Sequence, residues 1–292
     1  MGQSTPGAAA IALTAVAMVA FAGNSLLCRL ALAPHAIDPT TFALVRVAAG
    51  AVVLMLLVRR PRAGAPGGAA SRAASWPSAL SLAVYAVAFA LAYVALAAST
   101  GTLALFGAVQ VTMIVSALAR GERPPPRTWM GFVAATAGLL VLLLPGATAP
   151  DPFALSAMLT AGVAWGVYSL RGRGAADPAA ATAHNFVRAV PICLLASALA
   201  LPFAAVHAEP RGLWLATASG AVTSGLGYVV WYSALRRLSA TDAAMAQLTV
   251  PVLAALGGAV LLGETLPTRL WFAAALVLGG TALAVLAPRK NG

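Results

Sequence analysis

The sequence predicts an all-α integral membrane protein with ten transmembrane helices, arranged as two inverted five-helix repeats. Hydrophobic residues make up 61% of the 292-residue chain and charged residues only 9%, against about 25% charged residues in soluble domains. Apolar runs long enough to cross a bilayer recur along the whole chain. The pattern Gly-Glu-x-x-Pro-x-Arg-x-Trp occurs twice, beginning at Gly121 and at Gly263, which are 142 residues apart.

So few polar groups could not cover the surface of a soluble protein of this length, so lipid must be the solvent. The formal net charge of +11 therefore bears on orientation and on anionic headgroups, and nucleic acid is not an expected partner. Cys28 and Cys193 fall inside predicted helices, where they act as small apolar residues. A disulfide framework or metal site would need more cysteines at closer spacing, so we expect no metal and no cofactor.

Clusters of Pro, Gly or Arg divide the apolar runs into ten predicted helices. Ala31-Leu32-Ala33 resembles a signal-peptide cleavage site, but no positive charge precedes the first run and Arg29 interrupts the approach, so that run is predicted to be a span. The ten predicted helices cover 8–32, 39–58, 76–98, 101–119, 128–145, 152–171, 182–203, 212–235, 241–262 and 269–287.

The boundaries of the third and fourth helices predict a tight hairpin, because only Ser99-Thr100-Gly101 separates them. The longest non-apolar loop, 59–75, is rich in Arg, Gly, Ala and Pro.

The distribution of Arg and Lys predicts that both termini are cytoplasmic, since cytoplasmic loops carry the excess of these residues. With that orientation, 13 of the 18 lie inside. Only Arg211 and Arg269 lie outside, and Arg29, Arg46 and Arg188 lie within predicted helices.

The 142-residue offset also maps Arg46 onto Arg188 and Arg29 onto Arg171, which predicts a duplicated chain with halves 1–145 and 146–292. Each half holds five helices, an odd number, so the second half enters the membrane upside down relative to the first. Inverted repeats of this kind are typical of secondary transporters that work by alternating access.

The chain resembles the drug/metabolite transporter superfamily, in particular its ten-helix group with two EamA domains. The resemblance covers nearly the whole chain and rests on the paired Gly-Glu-x-x-Pro turns, on Arg46 and Arg188, and on two first-helix motifs, Ala22-Gly23-Asn24 and Trp165-Gly166. Where the family often has Trp before Gly-x-Asn, this chain has Phe21. The resemblance implies a multi-pass protein of the bacterial inner (plasma) membrane that exports amino acids or other small metabolites.

Polar and aromatic residues in the middle of the predicted helices are the substrate-binding candidates. A pocket of aromatic faces and a few amides suits a small amphipathic solute, although helix packing is the alternative reason for each residue alone. The candidates are Asn24, Tyr85, Phe89, Gln110, Trp165, Tyr168, Tyr228, Trp231 and Gln247.

A second set of residues is predicted to have structural or gating roles. Arg46 and Arg188 are costly in a bilayer; they could attract a substrate anion, but their duplication favours bonding to carbonyls at helix ends. Glu122 and Glu264 follow the glycines at which two helices should stop. Pro191 and Pro251 interrupt predicted helices, as static kinks or as hinges.

No acidic residue falls in the middle of a predicted helix, so strict proton coupling is not favoured and facilitated diffusion or exchange fits better. A drug efflux system or an uptake carrier is the alternative transporter. A membrane-embedded, lipid-modifying enzyme or a scaffold is the alternative of another class, but the chain has no clustered catalytic residues and is not expected to be an enzyme. The expected partners are a small-molecule substrate and the bilayer, with the protein a monomer or weak homo-oligomer.

Overall fold

The structure is a computed structural model that describes residues 8–58, 74–121, 125–143, 151–173, 175–238, 240–263 and six isolated positions between 272 and 283. The described part is helical and contains no sheet; its one β-bridge joins two loops. In chain order, the helices are α1 (Ala8–Leu32), α2 (Pro39–Val58), α3 (Trp76–Tyr93), α4 (Ala98–Ala119), α5 (Pro126–Leu143), α6 (Pro152–Gly172), α7 (Pro178–Ala200), α8 (Pro210–Ala218), a π-helical segment (Ser219–Leu226), α9 (Gly227–Leu235), α10 (Ala240–Gln247) and α11 (Val250–Leu262).

The predicted fold class, an all-α integral membrane protein, is confirmed. Within the described residues, eight helices are long and apolar enough to cross a membrane. Nine of the ten predicted helices correspond to helices of the structure, and of the tenth, 269–287, only six positions are described. Glu122 and Glu264 lie outside the described residues.

The predicted hairpin turn at Ser99-Thr100-Gly101 is wrong, because these residues form the first turn of α4. The chain turns earlier, between Tyr93 and Ala98, and the backbone N–H of Gly101 already donates a helical hydrogen bond to the carbonyl of Ala97 at 2.8 Å. A Cβ on Gly101 would lie 2.8 Å from Cζ of Tyr93. This glycine therefore allows the end of α3 to pack closely against the start of α4.

The predicted helix 212–235 contains a wider turn than an α-helix, the π segment Ser219–Leu226. The hydroxyl of Thr223 donates to the carbonyl of Ser219 at 2.9 Å, a bond that satisfies this carbonyl without the usual α-helical donor. Such π turns are frequent at functional sites.

The predicted helix 241–262 is broken between α10 and α11. The backbone N–H groups of Leu248 and Thr249 donate to carbonyls three residues earlier, at 3.1 Å each, and Pro251, the second residue of the next helix, has no N–H to donate. Pro251 therefore coincides with an interruption, as predicted, whereas Pro191 lies inside a continuous α7.

The helix packing joins the two predicted halves rather than closing each half on itself. Helix α2 packs on α7 and on the π segment, α3 packs on α6 and α7, α4 packs on α6, α10 and α11, and α1 packs on α9 and α11. The contact between α2 and the π segment is close because it is made by glycines: a Cβ on Gly50 would lie 3.0 Å from the carbonyl oxygen of Gly220. The core of the molecule therefore lies between the halves.

Candidate functional site

A cluster of buried aromatic side chains surrounds one buried arginine at the centre of this interface. Six helices contribute to it, and each member is at most 5% exposed. This central cluster consists of Phe21, Arg46, Tyr85, Phe89, Trp165, Tyr168, Phe186, Tyr228 and Trp231.

Trp165 of α6 lies in the middle of the aromatic part of the cluster. Its ring centroid is 4.7 Å from that of Tyr228, 5.1 Å from Tyr85, 5.2 Å from Phe21 and 5.9 Å from Tyr168. Edge-to-face and tilted pairs at these separations are favourable aromatic contacts. The four neighbours come from α1, α3, α6 and α9, so this ring connects helices of both predicted halves.

The guanidinium of Arg46 is 1% exposed and is bound by neutral groups. Its Nε donates to Ser224 Oγ at 2.9 Å, and its Nη2 donates to the hydroxyls of Tyr85 at 3.0 Å and Tyr228 at 2.8 Å. Its central carbon also lies 5.0 Å from the ring centroid of Tyr85 and 5.1 Å from that of Phe89, within the range of cation–π attraction. The predicted bonds to carbonyls at helix ends are not what Arg46 makes.

Arg29 bonds carbonyls instead. Its Nη1 donates to the carbonyl oxygens of Tyr93 and Val94, at 3.0 and 3.1 Å, where α3 ends. These carbonyls are among those that a helix end leaves without a backbone partner.

Asn24 of α1 accepts hydrogen bonds from the hydroxyl groups of the π segment. Its amide oxygen accepts hydrogen bonds from Ser219 at 2.7 Å, Thr223 at 3.3 Å and Ser224 at 3.4 Å. Its amide nitrogen donates to the hydroxyl of Tyr85 at 3.2 Å. Asn24 and Arg46 thus share two partners, so the polar groups around the arginine form one connected network.

A layer of amides and thioethers lies next to the cluster, between α4 and α10. The indole N–H of Trp165 donates to the amide oxygen of Gln247 at 2.8 Å, and the amide nitrogen of Gln247 contacts the sulfur of Met113 at 3.5 Å. Gln110 contacts the sulfur of Met245 at 3.4 Å through its own amide nitrogen. The amide oxygen of Gln110 is buried and has no partner among the described residues.

The structure thus brings all nine substrate-binding candidates into one buried region. Eight of them belong to the central cluster or hydrogen-bond directly to it, Gln247 through Trp165, and Gln110 lies in the adjacent layer. The repeat-related arginines are not equivalent, because Arg46 is at the centre of the cluster while Arg188 is only partly buried. Pro251 is buried, and Pro191 is an exposed residue within α7. Neither proline belongs to the cluster.

Sequence reasoning missed the hydroxyl residues of the π segment and Phe186. A signal was present, since Ser219 and Thr223 stand four residues apart, in a stretch dense in small and hydroxyl residues inside an apolar run. Four-residue spacing places side chains on one helix face. The ring of Phe186, 5.7 Å from Tyr228, carried no such signal, because an isolated Phe in a span is ordinary.

Two loops from different predicted halves are joined at one end of the bundle. The loop after α1 and the loop before α8 form an antiparallel β-bridge between Ile37 and Ala208, and the N–H of Glu209 donates to the carbonyl of Ala36 at 2.8 Å. We call this pairing the loop clasp.

Asp38 stabilises the loop clasp through its side chain. Its carboxylate accepts from the N–H of Thr41 at 2.9 Å, from the hydroxyl of Thr40 at 2.8 Å and from the N–H of His207 at 3.2 Å. Burial alone would raise the pKa of this carboxyl, but the hydrogen bonds outweigh it and hold the pKa below its usual value.

Hydrogen bonds also join the predicted halves at the opposite end of the bundle, around the start of α3. Arg171 of α6 donates from Nε to Ser78 Oγ at 2.9 Å and from Nη2 to Ser75 Oγ at 3.1 Å. The N–H of Ser75 donates to the amide oxygen of Asn185 in α7 at 3.1 Å. With the loop clasp, these bonds tie the halves together at both ends.

The central cluster, with the amides bonded to it, offers a cation, several hydroxyl groups and aromatic faces, which are groups that bind and orient a solute. Within the described residues, no group of three or more His, Cys, Asp or Glu side chains could hold a metal ion.

The EamA-like transporter family model matches residues 152–286 of this chain. The chain is 51% identical over 291 residues to the uncharacterized protein PA1977 of Pseudomonas aeruginosa, a match that covers 97% of this chain and 96% of that protein. A protein of known crystal structure superposes with a TM-score of 0.72 at 22% sequence identity, covering 94% of this chain and 99% of the solved one. At that identity, the structural match supports the fold alone.

Proposed function

The chain belongs to the EamA-like transporter family, and from that premise we propose that it is a secondary transporter that exports amino acids or related small metabolites by alternating access. The family identifies a membrane transporter of small molecules and points away from an enzyme. The substrate class, the direction and the mechanism are the proposal.

The burial of the central cluster between the two halves carries the proposal. The aromatic rings and Arg46 are at most 5% exposed, so a solute can reach them only when helices of the two halves move apart. Because the halves are joined by the loop clasp at one end and by the bonds of Arg171 and Ser75 at the other, separation can occur at one end while the other stays closed. Opening the ends in turn is alternating access.

The packing supports an inverted repeat with halves 1–145 and 146–292. With the 142-residue offset, α2 corresponds to α7, the π segment to α3, α4 to α11 and α6 to α1. The packing of α2 on the π segment therefore corresponds to that of α7 on α3, and the packing of α4 on α6 corresponds to that of α11 on α1. All four contacts are present.

The helix ends support the same repeat. Gly121 follows α4 with a φ of +80°, and Gly263 ends α11 with a φ of +65°, a conformation that glycine adopts at helix C-termini without a steric penalty. These two residues begin the repeated Gly-Glu-x-x-Pro pattern. We propose that the pattern, including Glu122 and Glu264, is a structural turn in both halves.

The hinge candidates are Pro251 and the π segment, where the regular hydrogen-bond ladder is interrupted. Both lie next to residues of the central cluster or of the amide layer, so a change of helix direction there would move the site directly. Pro191 and Arg188 are proposed to support such a movement from α7.

We place the protein in the bacterial inner membrane with both termini in the cytoplasm, on the strength of the Arg and Lys distribution. The loop clasp then faces the outside and Arg171 faces the cytoplasm. The fold needs no second copy of the chain to complete the cluster, which supports a monomer or a weak homo-oligomer.

Counterflow in proteoliposomes tests the function. Vesicles containing the purified protein are loaded with a mixed pool of unlabelled amino acids, and entry of labelled amino acids is followed with no ion gradient. We expect saturable entry that is faster in loaded than in empty vesicles, with protein-free liposomes as the control. A panel of drugs and nucleosides run in parallel identifies the alternative substrates. Absence of counterflow for every solute, with and without a proton gradient, would contradict the transporter assignment.

A further inference from the structure

We propose that Arg46 is the anion-binding residue of the transport site and that the preferred solute is an organic monocarboxylate with an apolar, preferably aromatic, body. This inference rests on the proposed function. Among the amino acids and related metabolites proposed above, it makes carboxylates without an amine the preferred solutes and amino acids the weaker ones.

The first argument is that the charge of Arg46 has no counter-ion among the residues that the structure describes. No acidic side chain of the described residues forms an ion pair with it, and its partners are hydroxyl groups and ring faces. Asp242 is the other buried charged side chain in the described ranges, and it lies in the first turn of α10. A charge buried without a partner is costly, and charged residues in membrane helices typically mark ion or substrate pathways. A bound anion would supply the missing charge.

The second argument is that the guanidinium still has hydrogen-bonding capacity for a carboxylate. An arginine carries five N–H groups, and the three on Nε and Nη2 are used by Ser224, Tyr85 and Tyr228. Nη1 is buried and has no hydrogen-bond partner among the described residues. Its two N–H groups can donate to a carboxylate oxygen in a charge-assisted hydrogen bond.

The third argument is that the cluster contains a second unpaired N–H group, on Trp231. The indole nitrogen of Trp231 is buried without a partner in the described structure, and its ring lies 5.5 Å from that of Phe21. Two free N–H donor groups within one aromatic cluster match a solute that has acceptor atoms and an apolar body. Arg46 is the single cation of the cluster, so a monoanion matches its charge better than a phosphate with two charges.

An amine on the same solute would find a less suitable environment. The amide oxygen of Asn24 already accepts three hydroxyl hydrogen bonds, and no carboxylate of the described residues belongs to the cluster. The unpaired amide oxygen of Gln110, an acceptor to which an ammonium could donate, lies in the α4–α10 layer, outside the central cluster. A carboxylate without an amine avoids burying that second charge.

The proposal has a kinetic consequence. With the anion bound, Arg46 is neutralised, whereas the empty transporter must change conformation with an uncompensated buried cation. We therefore expect exchange of one carboxylate for another to be faster than net efflux. Substituting Arg46 by an uncharged residue should reduce that difference as well as the affinity.

Three ligands that share one ring test the inference: 3-phenylpropanoate carries only the carboxylate, phenethylamine only the amine, and phenylalanine both. Thermal stabilisation of the detergent-solubilised parent protein and competition in counterflow are measured for each. We expect 3-phenylpropanoate to stabilise and compete at the lowest concentration, with phenethylamine inactive. Thermal stabilisation or competition by phenethylamine or phenylalanine at an equal or lower concentration would overturn the inference.

Arg46→Lys and Arg46→Gln test the residue, with Arg211→Gln as the control because Arg211 is an exposed arginine at the start of α8. We expect at least about a tenfold rise in the half-maximal 3-phenylpropanoate concentration for Arg46→Lys, which keeps the charge but loses the planar fork. The control should match the parent, and an unchanged value in Arg46→Lys would refute the assignment. If Arg46→Gln fails to fold, the ligand series on the parent and Arg46→Lys still decide.

The same measurements separate this inference from the proposed function. Counterflow of amino acids or other solutes that does not prefer the carboxylate refutes the inference and leaves the transporter intact. Stabilisation by 3-phenylpropanoate without any counterflow refutes the transporter and leaves the anion site.

Discussion

Replacing Gly220 by alanine should displace the π segment from α2 and separate the groups that hold Arg46. A Cβ at position 220 would overlap the carbonyl oxygen of Arg46 and would lie 2.8 Å from its carbonyl carbon and 2.9 Å from its Cα. These are backbone atoms, so no side-chain rotation can relieve the contact.

The size of the displacement follows from these distances. Ordinary van der Waals contact begins at 3.4 Å, so the two segments must separate by at least about 0.6 Å. The same shift would lengthen the bond between Arg46 Nε and Ser224 Oγ from 2.9 Å to about 3.5 Å, beyond the range of a good hydrogen bond. Overpacking of this kind costs about 1–3 kcal/mol.

The assay compares Gly220→Ala with Gly107→Ala, because a Cβ on Gly107 of α4 would meet no atom within 4 Å. We expect Gly220→Ala to lower the thermal unfolding temperature in detergent and to reduce the initial rate of counterflow at least about tenfold, as displaced binding groups lose their geometry. Gly107→Ala should match the parent in both measurements. Parental stability and transport in Gly220→Ala would refute the close approach of α2 and the π segment.

Three further changes test other parts of the structure. Trp165→Phe keeps an aromatic ring but removes the donor to Gln247, so we expect a stability loss of about 0.6 kcal/mol, at most about 1.7, and slower counterflow; unchanged transport would argue against a role for the indole N–H in the site. Because the pKa of Asp38 is lowered in the folded protein, its ionised form stabilises the fold above the unfolded pKa of about 3.9. This contribution is lost as pH falls through the folded value. The unfolding temperatures of the parent and of Asp38→Asn should therefore differ at pH 7 and converge below about pH 4. Gly121→Ala meets no steric obstacle but must adopt a φ of +80°, so it should cost about 1–2 kcal/mol, and Gly121→Asn should cost less; equal stability of all three proteins would contradict a left-handed helix end.

Much of the architecture could be predicted because a membrane helix must be apolar over a known length. Arg59, Gly121 and Gly263 end apolar runs, and the predicted ends of the first and second helices agree with α1 and α2 to the residue. The error at Ser99-Thr100-Gly101 arose because glycine and hydroxyl residues can also lie inside a membrane helix. There they allow a close helix contact or bond a carbonyl four residues earlier, as Thr102 does at 2.8 Å.

The candidate site was partly predictable for a related reason. An amide or indole inside an apolar span must find a partner there, so Asn24, Trp165 and Gln247 could be named as candidates for the site. Which groups they meet depends on how helices from different parts of the chain are rotated against one another, and no single span carries that information. Repeat symmetry was misleading for Arg46, because Arg188 has an equivalent place in the sequence but a more exposed place in the fold.

Cysteine accessibility at position 224 tests the central claim, that the buried cluster opens to each side of the membrane in turn. Ser224→Cys is made in a background with Cys28 and Cys193 replaced by alanine, and a membrane-impermeant thiol reagent is added from one side of oriented vesicles and then from the other. We predict slow labelling from both sides, with a transported solute supplied on one side shifting the ratio of the two rates. Labelling from one side alone, whatever solute is present, would contradict alternating access.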